Sequence, residues 1–171
     1  MTIRVGILTA SDRSYSGEYE DLSGPVTRGL VTERLGAVVE LEAVVPDDRA
    51  IIANILLRWA DQAGLDLVLT TGGTGFAPRD VTPEATCDVI ERQAPGLAEA
   101  MRAASLRLTP HAMLSRAVAG IRGHTLIINL PGSPKAVREN LETILPALPH
   151  AIELLRGQQS AHQVQHQTPG P

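Results

Sequence analysis

The sequence has one cysteine, one lysine and an aromatic content of only 2%, and each scarcity excludes something. A single cysteine, Cys87, cannot close an intrachain disulfide, and no Cys-x-x-Cys pair is present for zinc or redox chemistry. Cys87 falls in an expected helix and reads as a buried or semi-buried small apolar residue. The aromatics are Tyr15, Tyr19, Trp59 and Phe76, too few to build a stacking platform for single-stranded nucleic acid. Positive charge is not in excess either. Lys and Arg number 15 against 19 Asp and Glu, a net charge of −4, which argues against a general polyanion surface. No apolar run approaches the ~20 residues of a membrane span, and no basic-then-apolar leader opens the chain. A cytoplasmic protein without nucleic-acid or membrane partners is expected. His-Glu-x-x-His, Gly-x-Ser-x-Gly, Walker A and Gly-x-Gly-x-x-Gly strings are all missing.

What is there reads as one α/β domain over 1–157. Hydrophobic residues are 43% of the chain, enough for a sizeable core. Ile3 to Ala10 is an apolar run suited to a central strand. Ser11 to Leu22 reads as a loop. Ser23 is expected to cap a helix that ends at Gly36, and Ala37 to Val45 reads as a second strand. Asp47 stands at the expected N-cap of a helix carrying Ile51, Ile52, Ile55, Leu56 and Trp59. Leu65 to Thr71 is the third strand. Helices are expected at Thr82 to Arg92 and Gly96 to Leu108, then a hairpin of Ala117 to Ile121 and His124 to Asn129 around Arg122-Gly123. Lys135 to Leu155 reads as helical, interrupted near Pro146 and Pro149. Strands alternating with long helices give a mainly parallel sheet, and the hairpin makes it mixed, in a three-layer α/β/α domain. Residues 158–171 are poor in apolar side chains and read as a disordered tail. His162 and His166 lie there, at a metal-ligand spacing that nothing nearby would complete.

The densest signal is the segment from Leu69 to Glu84. After the third strand, ten residues carry Gly72, Gly73, Thr74, Gly75, Arg79 and Asp80, and a helix start follows, with Thr82 expected as N-cap, Pro83 at the first helical position and Glu84 in the first turn. Such a loop can be a simple strand-to-helix turn, or it can bring backbone N–H groups against a phosphate. A second loop, Asn129 to Ala136, also joins a strand to a helix, as do Ser11-Asp12-Arg13 and Pro46-Asp47. In a parallel sheet all four fall at the carboxyl edge, where ligands bind. Asp80 suits a Mg²⁺ ion, which takes one or two carboxylates plus phosphate oxygens. Asp47 reads, from its place at a helix start, as that helix's N-cap. Arg13, Arg79 and Arg116 suit phosphates by their guanidinium forks, though each alone reads as a surface residue. Lys135 sits at a helix start, where a cation is disfavoured unless an anion lies opposite. It too can be a solvated surface residue.

The string TTGGTGFAPRDVTPEAT resembles the signature of the MogA/MoaB family of molybdenum cofactor biosynthesis proteins. Asn129-Leu130-Pro131-Gly132-Ser133-Pro134-Lys135-Ala136, Ser11-Asp12-Arg13, Asp21-Leu22-Ser23-Gly24 and Met113-Leu114-Ser115-Arg116 resemble further segments of that family, in the same order. The likeness runs from about Ile3 to Gly157. It implies a MogA-like fold and, from the members it resembles most, transfer of AMP from ATP to the terminal phosphate of molybdopterin with Mg²⁺. It implies Asp47 and Asp80 as catalytic and metal-binding residues. It implies Ser11, Asp12, Arg13, Gly72, Gly73, Thr74, Gly75, Arg79, Ser115, Arg116, Pro131, Gly132, Ser133 and Lys135 as substrate-binding. It also implies a homotrimer and a molybdate-inserting partner enzyme. The alternative within the family is a non-catalytic, MoaB-type protein that binds molybdopterin or a partner without turning over ATP.

Overall fold

The computed structural model describes residues 2–157, so the expected tail, with His162 and His166, lies outside the described residues. Strand β1 (Arg4–Ala10) is followed by a single helical turn, α1 (Asp12–Tyr15), and by α2 (Ser23–Leu35). Then come β2 (Val38–Val45), α3 (Arg49–Asp61), β3 (Leu67–Thr71), α4 (Thr82–Cys87), β4 (Arg92–Gln93) and α5 (Pro95–Leu106). A 3₁₀ turn at Pro110–Leu114 leads to β5 (Ala119–Arg122) and β6 (Thr125–Leu130), then α6 (Pro134–Ile144) and α7 (Leu148–Leu155).

One six-stranded sheet runs in the order β2-β1-β3-β6-β5-β4. β2, β1, β3 and β6 are mutually parallel and β5 pairs antiparallel with β6, which is the mixed, mainly parallel sheet that the sequence reading expects; the added strand β4, antiparallel to β5, was not expected. β3 and β6 are buried along their whole length, which is what a strand covered on both faces requires. β2 lies at the edge and alternates between exposed and half-buried positions. One face packs Val5, Ile7, Leu67, Leu69 and Ile128 against α2, α5, α6 and α7. The other packs Leu8, Val68 and Ile127 against Ile52 and Leu56 of α3 and Ala85 of α4.

The ends of the parallel strands are brought level by register. Ala10 pairs with Val45, Thr9 with Thr71, and Thr71 with Leu130. The chain leaves β1 for β2 on one side and later enters β3 on the other. The crevice between β1 and β3 is therefore a topological switch point, where open α/β sheets bind ligands.

Several local expectations are corrected. Ser11 caps a helical turn inside the expected loop by accepting from Ser14 N–H. Ser23 does not cap α2. Asp21 does, its Oδ1 accepting from the N–H groups of Ser23 and Gly24 at 3.0 Å each. Asp48, not Asp47, caps α3, accepting from Ile51 N–H at 2.9 Å. Ile51, expected on the buried face of α3, is 41% exposed. Thr82 is the first residue of α4 and its hydroxyl makes no capping bond. α4 stops at Cys87, because Glu91 N–H is captured by Ile121 O at 2.8 Å and the next residues pair as β4 with β5. Cys87 itself is exposed, since it lies at the end of that short helix, away from the face carrying Ala85 and Thr86.

At the opposite end of the sheet from the crevice, Arg156 grips Asp66 with two hydrogen bonds of 2.7 and 2.6 Å, and Arg4 N–H donates to the same carboxylate. Burial pushes the Asp66 carboxyl up, but these donors outweigh it and hold the carboxyl below the usual range. Replacing Arg156 by Leu is expected to cost about 3 kcal/mol at pH 7, the low end for removing one partner of a buried ion pair, because a mostly buried carboxylate loses its partner. A depressed carboxylate stabilises above its unfolded pKa of about 3.9 and loses that contribution as pH falls through the folded value. The gap between wild type and Arg156→Leu in chemical denaturation should therefore narrow in acid. A gap independent of pH would show that the pair is not its source.

Candidate functional site

The loops after the four parallel strands enclose a crevice of about 310 Å³. Of the residues expected there, Ser11, Arg13, Asp47, Gly72, Gly73, Asp80 and Gly132 line it. Gly72 and Gly73 have positive φ, +89° and +64°. A Cβ on Gly72 would lie 2.3 Å from the carbonyl oxygen of Ala10, so only glycine lets the loop lie against the end of β1.

Asp47 and Asp12 clasp each other's backbone. Asp12 N–H donates to Asp47 Oδ2 at 2.9 Å, and Asp47 N–H donates to Asp12 Oδ1 at 3.0 Å. This ties the loop after β1 to the loop after β2. Arg79 reaches across from the glycine loop and holds Asp12 with bonds of 2.9 and 2.8 Å. The Arg79 guanidinium, together with Asp47 N–H, keeps the Asp12 carboxyl below the usual range. Asp47 is shifted the other way. Burial pushes its carboxyl up, and the neighbouring Asp12 and Asp80 charges add to the effect. Its Oδ1 is buried without a hydrogen-bond partner. Asp80 Oδ2 accepts from Ala77 N–H at 2.9 Å and closes a turn inside the glycine loop, a local duty not foreseen from the sequence.

Other expected site residues lie elsewhere. Thr74, Gly75, Ser115 and Pro131 line a second pocket of about 290 Å³ alongside the first. The glycine loop runs between the two, with Gly72 and Gly73 on one side and Thr74 and Gly75 on the other. Arg116 does not line the crevice. Its guanidinium donates to the carbonyl oxygens of Gly75 and Asp80 at 2.7 and 2.6 Å and pairs with Glu84, so it braces the glycine loop from behind. Ser133 caps α6 by accepting from Ala136 N–H. Lys135 does not line the crevice either. Its side chain is 88% exposed and lies 3.8 Å from Glu139, one turn along α6. Arg13 lines the crevice with its guanidinium 4.3 Å from the centre of the Tyr19 ring. Sequence reasoning did not assign Thr9, Tyr19, Asp21 and Thr71, which also line the crevice. The signal for Asp21 was available. It opens the Asp-Leu-Ser-Gly string, and its carboxylate both caps α2 and accepts from Thr9 Oγ1 at 2.7 Å.

The oxygen donors suit a hard cation. Among the described residues no three His, Cys, Asp or Glu side chains converge as an all-protein cage. Mg²⁺ does not require one, since it binds through one or two carboxylates with waters and phosphate oxygens. A buried, partnerless carboxylate oxygen at Asp47, in a crevice that Asp80 also lines, fits that ion.

The family described as a probable molybdopterin binding domain matches residues 6–150. The chain belongs to this family. Its relatives include a molybdopterin adenylyltransferase of Helicobacter pylori strain J99, 48% identical over 157 residues that cover 91% of this chain and 89% of the relative. The molybdopterin adenylyltransferase of Escherichia coli K12 is 44% identical over 169 residues, covering 91% and 87%. Among solved structures, the molybdopterin biosynthesis enzyme MoaB of Thermus thermophilus superposes with a TM-score of 0.86 at 53% identity, covering 91% of this chain and 98% of that one. A MogA structure superposes at 0.83 with 41% identity, covering 89% and 99%. The mixed six-stranded sheet is thus the fold of this molybdopterin-binding family, as the sequence reading expects. No helix among the described residues is long and apolar enough to cross a membrane.

Proposed function

We propose that the chain is a molybdopterin adenylyltransferase, which moves AMP from ATP to the terminal phosphate of molybdopterin with Mg²⁺. An oxygen of that phosphate attacks the α-phosphorus of ATP. The bond from the α-phosphorus to the bridging oxygen breaks, and pyrophosphate leaves. The observation that carries the reading is the buried, partnerless Asp47 Oδ1 in a crevice walled by Gly72 and Gly73 at the carboxyl edge of the sheet.

Phosphoryl-type transfer asks a protein mainly for positioning and charge compensation. Gly72 and Gly73 let the backbone come close to the phosphates. Asp47 and Asp80 would hold the Mg²⁺. When bound, the ion neutralises charge on the transferring group. Arg13 supplies a cation on the crevice wall, and its stacking on Tyr19 fixes its direction. The Asp12–Asp47 clasp holds Asp47 in place, and Arg79 locks the clasp to the glycine loop. The second pocket, on the other side of that loop, offers the pterin a place within reach of the crevice. Cytoplasmic location, trimeric assembly and hand-over to a molybdate-inserting enzyme belong to the same proposal and rest on the family resemblance.

The test is pyrophosphate release from ATP with and without molybdopterin. Release is expected only when both substrates and Mg²⁺ are present, and it should stop when the ion is chelated and return when it is restored. Tight molybdopterin binding without any release would favour the non-catalytic reading.

A further inference from the structure

Asp47 Oδ1 is not the only buried side-chain oxygen without a partner. Thr82 Oγ1 is the other among the described residues. Both face the same bare glycine. A Cβ on Gly73 would lie 2.4 Å from Thr82 Oγ1 and 3.1 Å from Asp47 Oδ1. The two oxygens come from different layers of the site, one from the loop after β2 and one from the start of α4.

Thr82 is 0% exposed and firmly held. Its N–H donates to Gly73 O at 3.1 Å, and its own carbonyl accepts from Thr86 Oγ1 at 2.9 Å. The ordinary use of a threonine hydroxyl near a helix start, accepting an N–H of the first turn, is not made here. A buried hydroxyl left unpaired costs stability, so its place beside the equally unpartnered Asp47 Oδ1 calls for a ligand.

We propose that Thr82 is a positioning residue for the divalent ion: Asp47 Oδ1 takes the ion, and Thr82 Oγ1 accepts a hydrogen bond from one of its waters. This inference rests on the reading of Asp47 as a metal ligand. Mg²⁺ keeps several of its waters, and each needs an acceptor. Outer partners of this kind change metal affinity by about 10–100-fold. Threonine suits the place because its hydroxyl can accept or donate, and its methyl group fills the buried space next to it.

The experiment titrates Mn²⁺ into the full chain with a non-transferable methylene analogue of ATP, following free Mn²⁺ by electron paramagnetic resonance. Thr82→Val keeps the shape and removes the hydroxyl. It is expected to weaken Mn²⁺ binding on the order of tenfold, while its melting temperature without metal equals or exceeds that of wild type. Thr82→Ser should bind Mn²⁺ as wild type does. Thr82→Ala is read in the same way should the valine variant fold poorly. Wild-type affinity in Thr82→Val, or no recovery in Thr82→Ser, overturns the role of the hydroxyl while leaving Asp47 untouched. A wild-type chain that binds no Mn²⁺ overturns the reading of Asp47 as well.

Discussion

Replacing Asp47 by Asn is expected to remove adenylyl transfer by about a thousandfold, the scale of losing one preorganised electrostatic contact in a transition state, while the protein stays folded and at least as stable. The two effects have one source. The Asp47 carboxylate is held against burial and against the charges of Asp12 and Asp80, so its carboxyl is pushed up. A carboxyl with a raised folded pKa stabilises only while protonated, below its unfolded value of about 3.9, and that contribution is lost as pH rises through the folded value. At neutral pH the ionised group therefore destabilises the ligand-free protein, and neutral Asn removes that cost. Asn can still accept from Asp12 N–H through its oxygen and can turn its amide toward Thr82 Oγ1, satisfying a hydroxyl now unpaired. Any gain in melting temperature should shrink as pH is lowered through the raised pKa of wild-type Asp47, where its carboxyl also becomes neutral. Asp48→Ala is the control. It should lower stability by about 1 kcal/mol through the lost cap and reduce transfer little. If Asp47→Asn instead melts well below wild type and keeps its activity, the carboxylate is structural.

Gly72→Ala is expected to have the largest effect on the fold. Two costs add at this position. The backbone φ of +89° is one that L-residues rarely adopt, and the new Cβ would meet the Ala10 carbonyl oxygen at 2.3 Å. That oxygen belongs to the end of a central strand and cannot move aside without breaking the β1–β2 pairing at Val45. A loss of about 4 kcal/mol or more is expected, which for a domain of this size is roughly a 10 °C fall in melting temperature. Gly96→Ala is the matched comparison. An added Cβ there meets nothing within 4 Å, and the residue lies in the first turn of α5, so the change should be neutral or slightly stabilising. Equal melting temperatures for the two variants would contradict the close approach of the glycine loop to β1.

The layout of the site was legible in the sequence because it depends on order and period. Apolar runs marked β1, β3 and β6, helices of ten or more residues separated the parallel strands, and Arg122-Gly123 marked the hairpin. From these alone the glycine loop, the loop after β6, Ser11 and Asp47 fall at one edge. Offsets of a single residue were not legible. In Pro46-Asp47-Asp48 either aspartate could cap α3, and the choice turns on the extended backbone of Asp48, which leaves Asp47 free to face Asp12. Ser23 and Asp21 pose the same problem, and there Asp21 caps because its carboxylate reaches two N–H groups. Side chains whose partners are far along the chain were the hardest to place. Arg116 reads as a phosphate-binding residue until its contacts with Gly75, Asp80 and Glu84 are known. Lys135 reads as an anion partner, yet the turn of helix that follows it provides Glu139 and points the ammonium into solvent. β4 is two residues long, too short to show a period, and it exists only because β5 offers an edge.

On the proposed function the phosphates of ATP lie in the crevice at the carboxyl edge, with a divalent ion on Asp47. A crystal structure of the chain soaked with Mg²⁺ and a non-transferable ATP analogue tests it most directly. Phosphate oxygens are expected against the backbone of Gly72 and Gly73, with a metal peak within coordination distance of Asp47. Nucleotide seated elsewhere, for example in the apolar pocket between β5 and α7 lined by Leu97, Ile121 and Leu154, with no metal at Asp47, would contradict it.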